Sequence, residues 1–144
     1  MTPEQIAGSS EHSQQAALIC WVNQIGLALY PELKWLHAIP NGGVRDSITA
    51  GKLKAEGVKA GIPDLFLPVI SGPYHGLYIE MKVMPNKPTK EQLDYKSFAL
   101  ENRFDWLCCY SWAEAKDCLI AYLELKRKID NVSKPVSINA QIKF

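Results

Sequence analysis

The chain reads as an α/β fold, and three features of the sequence point to it. Two apolar runs, Leu65 to Ile70 and Gly76 to Val83, flank the turn-forming Ser71-Gly72-Pro73 and read as paired strands. Two capping signatures, Thr89-Lys90-Glu91-Gln92 and Ser111-Trp112-Ala113-Glu114, each open a helical pattern, with a third apolar run, Asp105 to Tyr110, between them. Upstream, Leu18, Trp21, Val22, Ile25 and Leu29 recur at helical spacing. At 144 residues and 47% hydrophobic content, this alternation suits one domain with a substantial core.

The elements follow in order. Thr2-Pro3-Glu4-Gln5 predicts a short capped helix, interrupted at Gly8, and Ser9 or Ser10 caps the next one. That helix carries Glu11 in its first turn, with Gln15 on the same face, and ends at Pro31. Lys34 to Ile39 reads as a short strand stopped by Pro40-Asn41-Gly42-Gly43. A helix broken near Gly51 is expected within residues 46–56, and Gly57 and Gly61 then allow a close backbone approach before Pro63-Asp64. Pro85 and Pro88 mark a loop, after which a helix runs from Thr89 to about Asn102. From Asp130 to Phe144 the chain alternates weakly, and an extra strand, a tail and a dimer arm all fit.

Composition narrows the function classes. A net charge of +1 does not announce nucleic acid, although Arg45, Lys52, Lys54 and Lys59 crowd one segment and Lys87, Lys90 and Lys96 another. No run of apolar residues is long enough for a membrane span, and the N-terminus lacks the regions of a secretory signal, so a cytoplasmic location is expected. Cys20, Cys108, Cys109 and Cys118 form no C-x-x-C pair and read as reduced, mostly buried thiols. Asn41-Gly42-Gly43 falls short of a Walker loop, so no nucleotide cofactor is expected.

Chemistry concentrates in Asp64 and in Glu80-Met81-Lys82. Glu80 and Lys82 lie two apart on a strand and project from one face. A hairpin pairing would bring Asp64 beside them. Two acids and an amine suit a hard divalent cation, which takes one or two carboxylates plus water, and an activated water nearby. For Glu80 and Lys82 alone, an edge-strand ion pair is the plain alternative. Gln92 has a capping role to set against a catalytic one, and Glu11 a helix-dipole role to set against a ligand role.

These residues resemble the signature of the PD-(D/E)xK nuclease superfamily, Pro63-Asp64 with Glu80-Met81-Lys82. More narrowly, the chain is similar to the VRR-NUC (virus-type replication-repair nuclease) domain over roughly residues 9–125. Glu11 with Gln15, Pro40 to Gly43, Glu56 to Leu65, Gly76 to Lys82 and Gln92 carry that likeness. The resemblance implies a restriction-endonuclease-like core in the order αβββαβ, a central mixed sheet flanked by helices. It implies a nuclease domain at 1–126 and a C-terminal tail, extra strand or dimer arm at 127–144.

It further implies Asp64 and Glu80 as Mg²⁺ or Mn²⁺ ligands with the Met81 carbonyl and Glu11, Lys82 assisting the water, and Gln92 in support. Lys59 is implied as a phosphate contact, and Asn41, Arg45, Lys87 and Lys90 are further candidates for nucleic-acid binding. The activity implied is phosphodiester hydrolysis in DNA. Stand-alone phage-type members form homodimers that act on branched DNA such as Holliday (four-way) junctions, whereas fused members act in DNA repair. The alternative expectation is a catalytically weak or inactive DNA-binding module of the same fold.

Overall fold

The computed structural model describes residues 1–40 and 47–133. In chain order the elements are α1 (Pro3–Ile6), α2 (Glu11–Trp21), α3 (Leu27–Leu29), β1 (His37–Ala38), α4 (Ser47–Ala55), β2 (Leu65–Leu67), β3 (Leu77–Met81), α5 (Lys90–Glu101), β4 (Asp105–Cys109) and α6 (Trp112–Ser133). The strands form one mixed sheet in the order β1-β2-β3-β4. β1, β2 and β3 are antiparallel neighbours, and β4 joins β3 in parallel after the α5 crossover.

Strand alternation sorts the side chains into two layers. Leu65, Leu67, Leu77 and Ile79 are fully buried and meet Leu18 and Trp21 of α2 and Leu119, Tyr122 and Leu123 of α6. Each such side chain contributes roughly 1.5–3 kcal/mol by leaving water. On the opposite face the Phe66 and Tyr78 rings stack at 4.4 Å, and Tyr95 of α5 meets Tyr78 edge-on at 5.2 Å. Glu80 follows Tyr78 on this second face, at the end of the strand nearest the start of α5.

Local signals hold well at helix starts. Thr2 and Thr89 form complete capping boxes with Gln5 and Gln92, and Ser10 caps α2 through Ser13. Ser111 Oγ accepts from the Glu114 N–H at 3.1 Å, but the Glu114 carboxylate takes the Tyr110 N–H instead of completing the box.

Several expectations need correction. The first long helix is not a continuous α-helix: a π turn at Val22–Gly26 precedes α3. The extra residue in that turn rotates the register. Ile25 and Leu29 therefore stay about half exposed, and Gly26 faces the core, where an added Cβ would lie 3.0 Å from Leu33 Cδ1. The strand expected over Lys34 to Ile39 shrinks to His37–Ala38, because Pro31–Trp35 winds as a 3-10 helix. β2 stops at Leu67, where Pro68 supplies no N–H to a ladder.

Gly51 does not break α4. Its surroundings are open, and one glycine costs a helix only about 1 kcal/mol relative to alanine. Of the four free thiols only Cys109 is fully buried. α6 runs unbroken past residue 126, so 127–133 belong to it, while 134–144 and the expectation of a strand, tail or dimer arm there lie outside the described residues. Among the described residues no helix is long and apolar enough to cross a membrane.

Candidate active site

Antiparallel pairing of β2 with β3 sets Leu65 opposite Ile79, and the next step along brings Asp64 opposite Glu80. The main chain of Asp64 is held from one side by the Ile39 N–H, which donates to its carbonyl at 2.8 Å. Its carboxylate Oδ2 accepts the Met81 N–H at 2.7 Å. Pro63 before it is buried, which gives the chain a rigid entry to this position. Asp64 and Glu80 thus face each other across the end of the hairpin.

Lys82 lies just past β3, with its N–H donating to the Cys109 carbonyl at 2.9 Å. Its ammonium is buried and sits 3.7 Å from Glu80 Oε1 and 3.8 Å from Glu11 Oε1. Glu11 reaches it from the first turn of α2. The two helix-borne residues of the expected set therefore arrive from opposite elements, Glu11 from α2 and Gln92 from α5.

Gln92 caps its helix and also reaches Glu80. Its Oε1 accepts the Thr89 N–H at 2.8 Å, completing the capping box, while its Nε2 donates to Glu80 Oε1 at 2.7 Å. The start of α5 is pressed close to the site by Gly61, whose φ is +85°. A Cβ at Gly61 would fall 2.7 Å from the backbone of Glu91, so only glycine lets the two segments approach this closely.

Glu80 is the electrostatic centre of the group. It is 2% exposed, and burial, followed by the neighbouring Asp64 charge, pushes its carboxyl up from an ordinary 4.5 to about 8, with Lys82 pulling the other way. Glu80 Oε2 is buried, and among the described residues no donor reaches it. Its neighbour Asp64 offers another acceptor when both are ionised, so a shared proton or a cation relieves the repulsion between them. A cleft of about 370 Å³ opens onto these groups, and Glu11, Lys59, Asp64, Glu80 and Gln92 all line it.

The cleft also contains residues that the sequence reading passed over. His12 and Glu91 line it, each adjacent in sequence to a residue that had been singled out, and that adjacency was the available signal. Cys108 pairs in register with Glu80, and its thiol is pushed up chiefly by burial. Other candidates lie elsewhere. Lys87 is exposed beyond the cleft lining, and Lys90 pairs with Asp94 on the outer side of α5 at 2.9 Å. The Met81 side chain is fully buried in the core and its N–H is taken by Asp64. Asn41 and Arg45 lie outside the described residues.

Among the described residues no three His, Cys, Asp or Glu side chains are gathered in a ready metal cage. Asp64 and Glu80 are the pair that could hold a hard divalent cation, which needs only one or two carboxylates and fills its remaining positions with water. The donorless Oε2 of Glu80 fits such an ion.

No protein-family model and no curated protein matches the chain. Among solved structures it is similar to a "VRR_NUC domain protein", with a TM-score of 0.69 and 25% identity over 83% of this chain and 92% of that one.

Proposed function

This chain forms a VRR-NUC domain, a nuclease domain, and from that premise we propose that it is a divalent-metal-dependent DNA endonuclease acting on branched DNA such as four-way junctions. One observation carries the catalytic part of the reading. A buried carboxylate, Glu80, stands beside Asp64 and within 3.7 Å of the Lys82 ammonium, at the wall of an open cleft.

Asp64 and Glu80, with the Met81 carbonyl, would hold Mg²⁺ or Mn²⁺. When bound, such an ion supplies Lewis-acid polarisation of a phosphoryl oxygen and a water of lowered pKa. The chain's own residues do the remaining work. Gln92 fixes the rotamer of Glu80 through the 2.7 Å hydrogen bond, so the carboxylate does not swing. Lys82, compact and cationic, orients the attacking water and offsets the negative charge that gathers on the phosphate. Glu11, 3.8 Å away, keeps the ammonium on the cleft side of the strand. Lys59, which lines the cleft, would meet a phosphate.

The branched substrate and a homodimeric form rest on the resemblance to stand-alone members. Two sites related by a twofold axis suit two cuts in a symmetric junction. The test is cleavage of a labelled four-way junction, flap, duplex and single strand, each with Mg²⁺, Mn²⁺ or EDTA. Wild type and Lys82→Ala would be run side by side. Metal-dependent paired cuts in the junction, lost in the variant, are expected. Full activity of Lys82→Ala would remove the assigned site, and equal cutting of all four DNAs would remove the branch preference.

A further inference from the structure

The most isolated element of the fold is α4. It buries none of its residues, yet it stands beside the cleft. Between it and the chain that returns to the site runs a groove of about 480 Å³, lined by Ala50, Leu53, Lys54, Val58, Lys59 and Ala60. Its floor is apolar, and among the described residues the charged ones in its lining are both lysines. The groove and the acidic cleft share Lys59 and Ala60 in their walls, so the two lie side by side. Gly57, at φ +100°, makes the reversal after α4 that folds Val58 back under Leu53, with the Val58 N–H donating to the Leu53 carbonyl at 2.9 Å.

We propose that this groove is a subsite for one unpaired nucleotide of the substrate strand next to the scissile phosphate. In it the base lies on Ala50, Leu53 and Val58, and the phosphates are met by Lys54 and Lys59. The proposal rests on the nuclease reading and extends it to the form of the DNA. Two properties select a nucleotide as the occupant. An apolar floor between cations matches a flat base carried on an anionic backbone. Adjacency to the cleft also puts the groove within one nucleotide's reach of a strand held at the site. A groove of this size falls within the roughly 300–1,000 Å³ typical of small-molecule sites, ample for one base. The site therefore prefers DNA with an unpaired nucleotide at the cut, as at a branch point or a single-stranded extension.

The experiment measures binding without cleavage, in EDTA, for a duplex with a single-stranded extension and for a blunt duplex of equal length. Ala50→Trp plugs the groove from an exposed helix position, and Lys54→Ala removes one cation. Lys52→Ala, two residues away and therefore on the far side of α4, is the control with the same charge change. Circular dichroism verifies that each variant folds. We expect Ala50→Trp to weaken binding of the extended DNA about tenfold, the scale of one lost base contact, and to leave the blunt duplex unchanged.

Lys54→Ala should lower the slope of log affinity against log salt by about 0.7, the value for one single-strand phosphate contact, whereas Lys52→Ala leaves it in place. Equal loss on both DNAs, or no loss on either, overturns the subsite. So does a change of oligomeric state in Ala50→Trp by sedimentation, which would mark the groove as a contact between copies of this chain. A protein that binds extended DNA with this pattern yet never cuts it keeps the subsite and loses the nuclease, so the two failures are distinguishable.

Discussion

Replacing Glu80 by glutamine removes a buried charge while nearly preserving shape, and its effect on stability depends on pH. In the native protein the Glu80 carboxyl titrates near 8 instead of 4.5, so between those values the folded state binds more protons than the unfolded one. Stability contributed by this group is therefore complete below about pH 4.5 and is lost as pH rises toward 8. At about 1.4 kcal/mol per pH unit, the ceiling over that interval is on the order of 5 kcal/mol. Side-chain relaxation and water reaching through the open cleft reduce it, and about 2 kcal/mol is expected. In the variant the amide keeps the Gln92 hydrogen bond at Oε1, and its Nε2 becomes a donor toward Asp64.

Glu80→Gln should then melt roughly 6 °C above wild type at pH 8 in EDTA and coincide with it at pH 5. Thermal unfolding followed by circular dichroism from pH 5 to 8.5 reads both. Magnesium should raise wild type at pH 8 and leave the variant where it was. Parallel pH curves for the two proteins would refute the reasoning, since they would mean that Glu80 titrates alike in the folded and unfolded chains.

The remaining predictions concern the frame around that carboxylate. Gln92→Ala removes both a capping interaction and the donor to Glu80, and should lower stability by about 1–3 kcal/mol in urea unfolding while reducing cleavage. Gly61→Ala places a Cβ 2.7 Å from the Glu91 backbone at φ +85°, and should lose at least about 2 kcal/mol with α5 displaced from the cleft. Lys82→Ala should retain DNA binding in EDTA and lose cleavage by roughly 10²-fold or more. A binding loss of the same size would assign Lys82 to affinity instead.

Features set by neighbours three or four residues apart were legible in the sequence. The Thr2, Ser10 and Thr89 caps satisfy N–H groups within one turn, so their residues declare the helix starts wherever the chain later packs. The turn residues Ser71-Gly72-Pro73 between two apolar runs likewise suggested a hairpin that brings Asp64 near Glu80 and Lys82, and the alternation of β3 put Glu80 and Lys82 on one face. The acid and amine chemistry of the site and the alternation of strands and helices came from these local patterns, whereas the likeness to a VRR-NUC domain came from a resemblance carried by the motif residues around Asp64, Glu80 and Lys82.

Only the tertiary structure decided the matters that depend on distant partners. No local signal marks the π turn at Val22–Gly26; it brings Gly26 against Leu33 and Trp21, where a side chain would not fit. The two-sided use of the Gln92 amide needs Glu80, twelve residues away and on another element. The depth at which Glu80 is buried, and with it the shift of its carboxyl, is set by α2, α5 and the strands together. The groove beside α4 exists because Gly57 folds Val58 back against that helix next to the cleft. Caps and turns are decided by hydrogen bonds a chain can make with itself over one turn, whereas burial and electrostatics are decided by whatever the rest of the fold brings near.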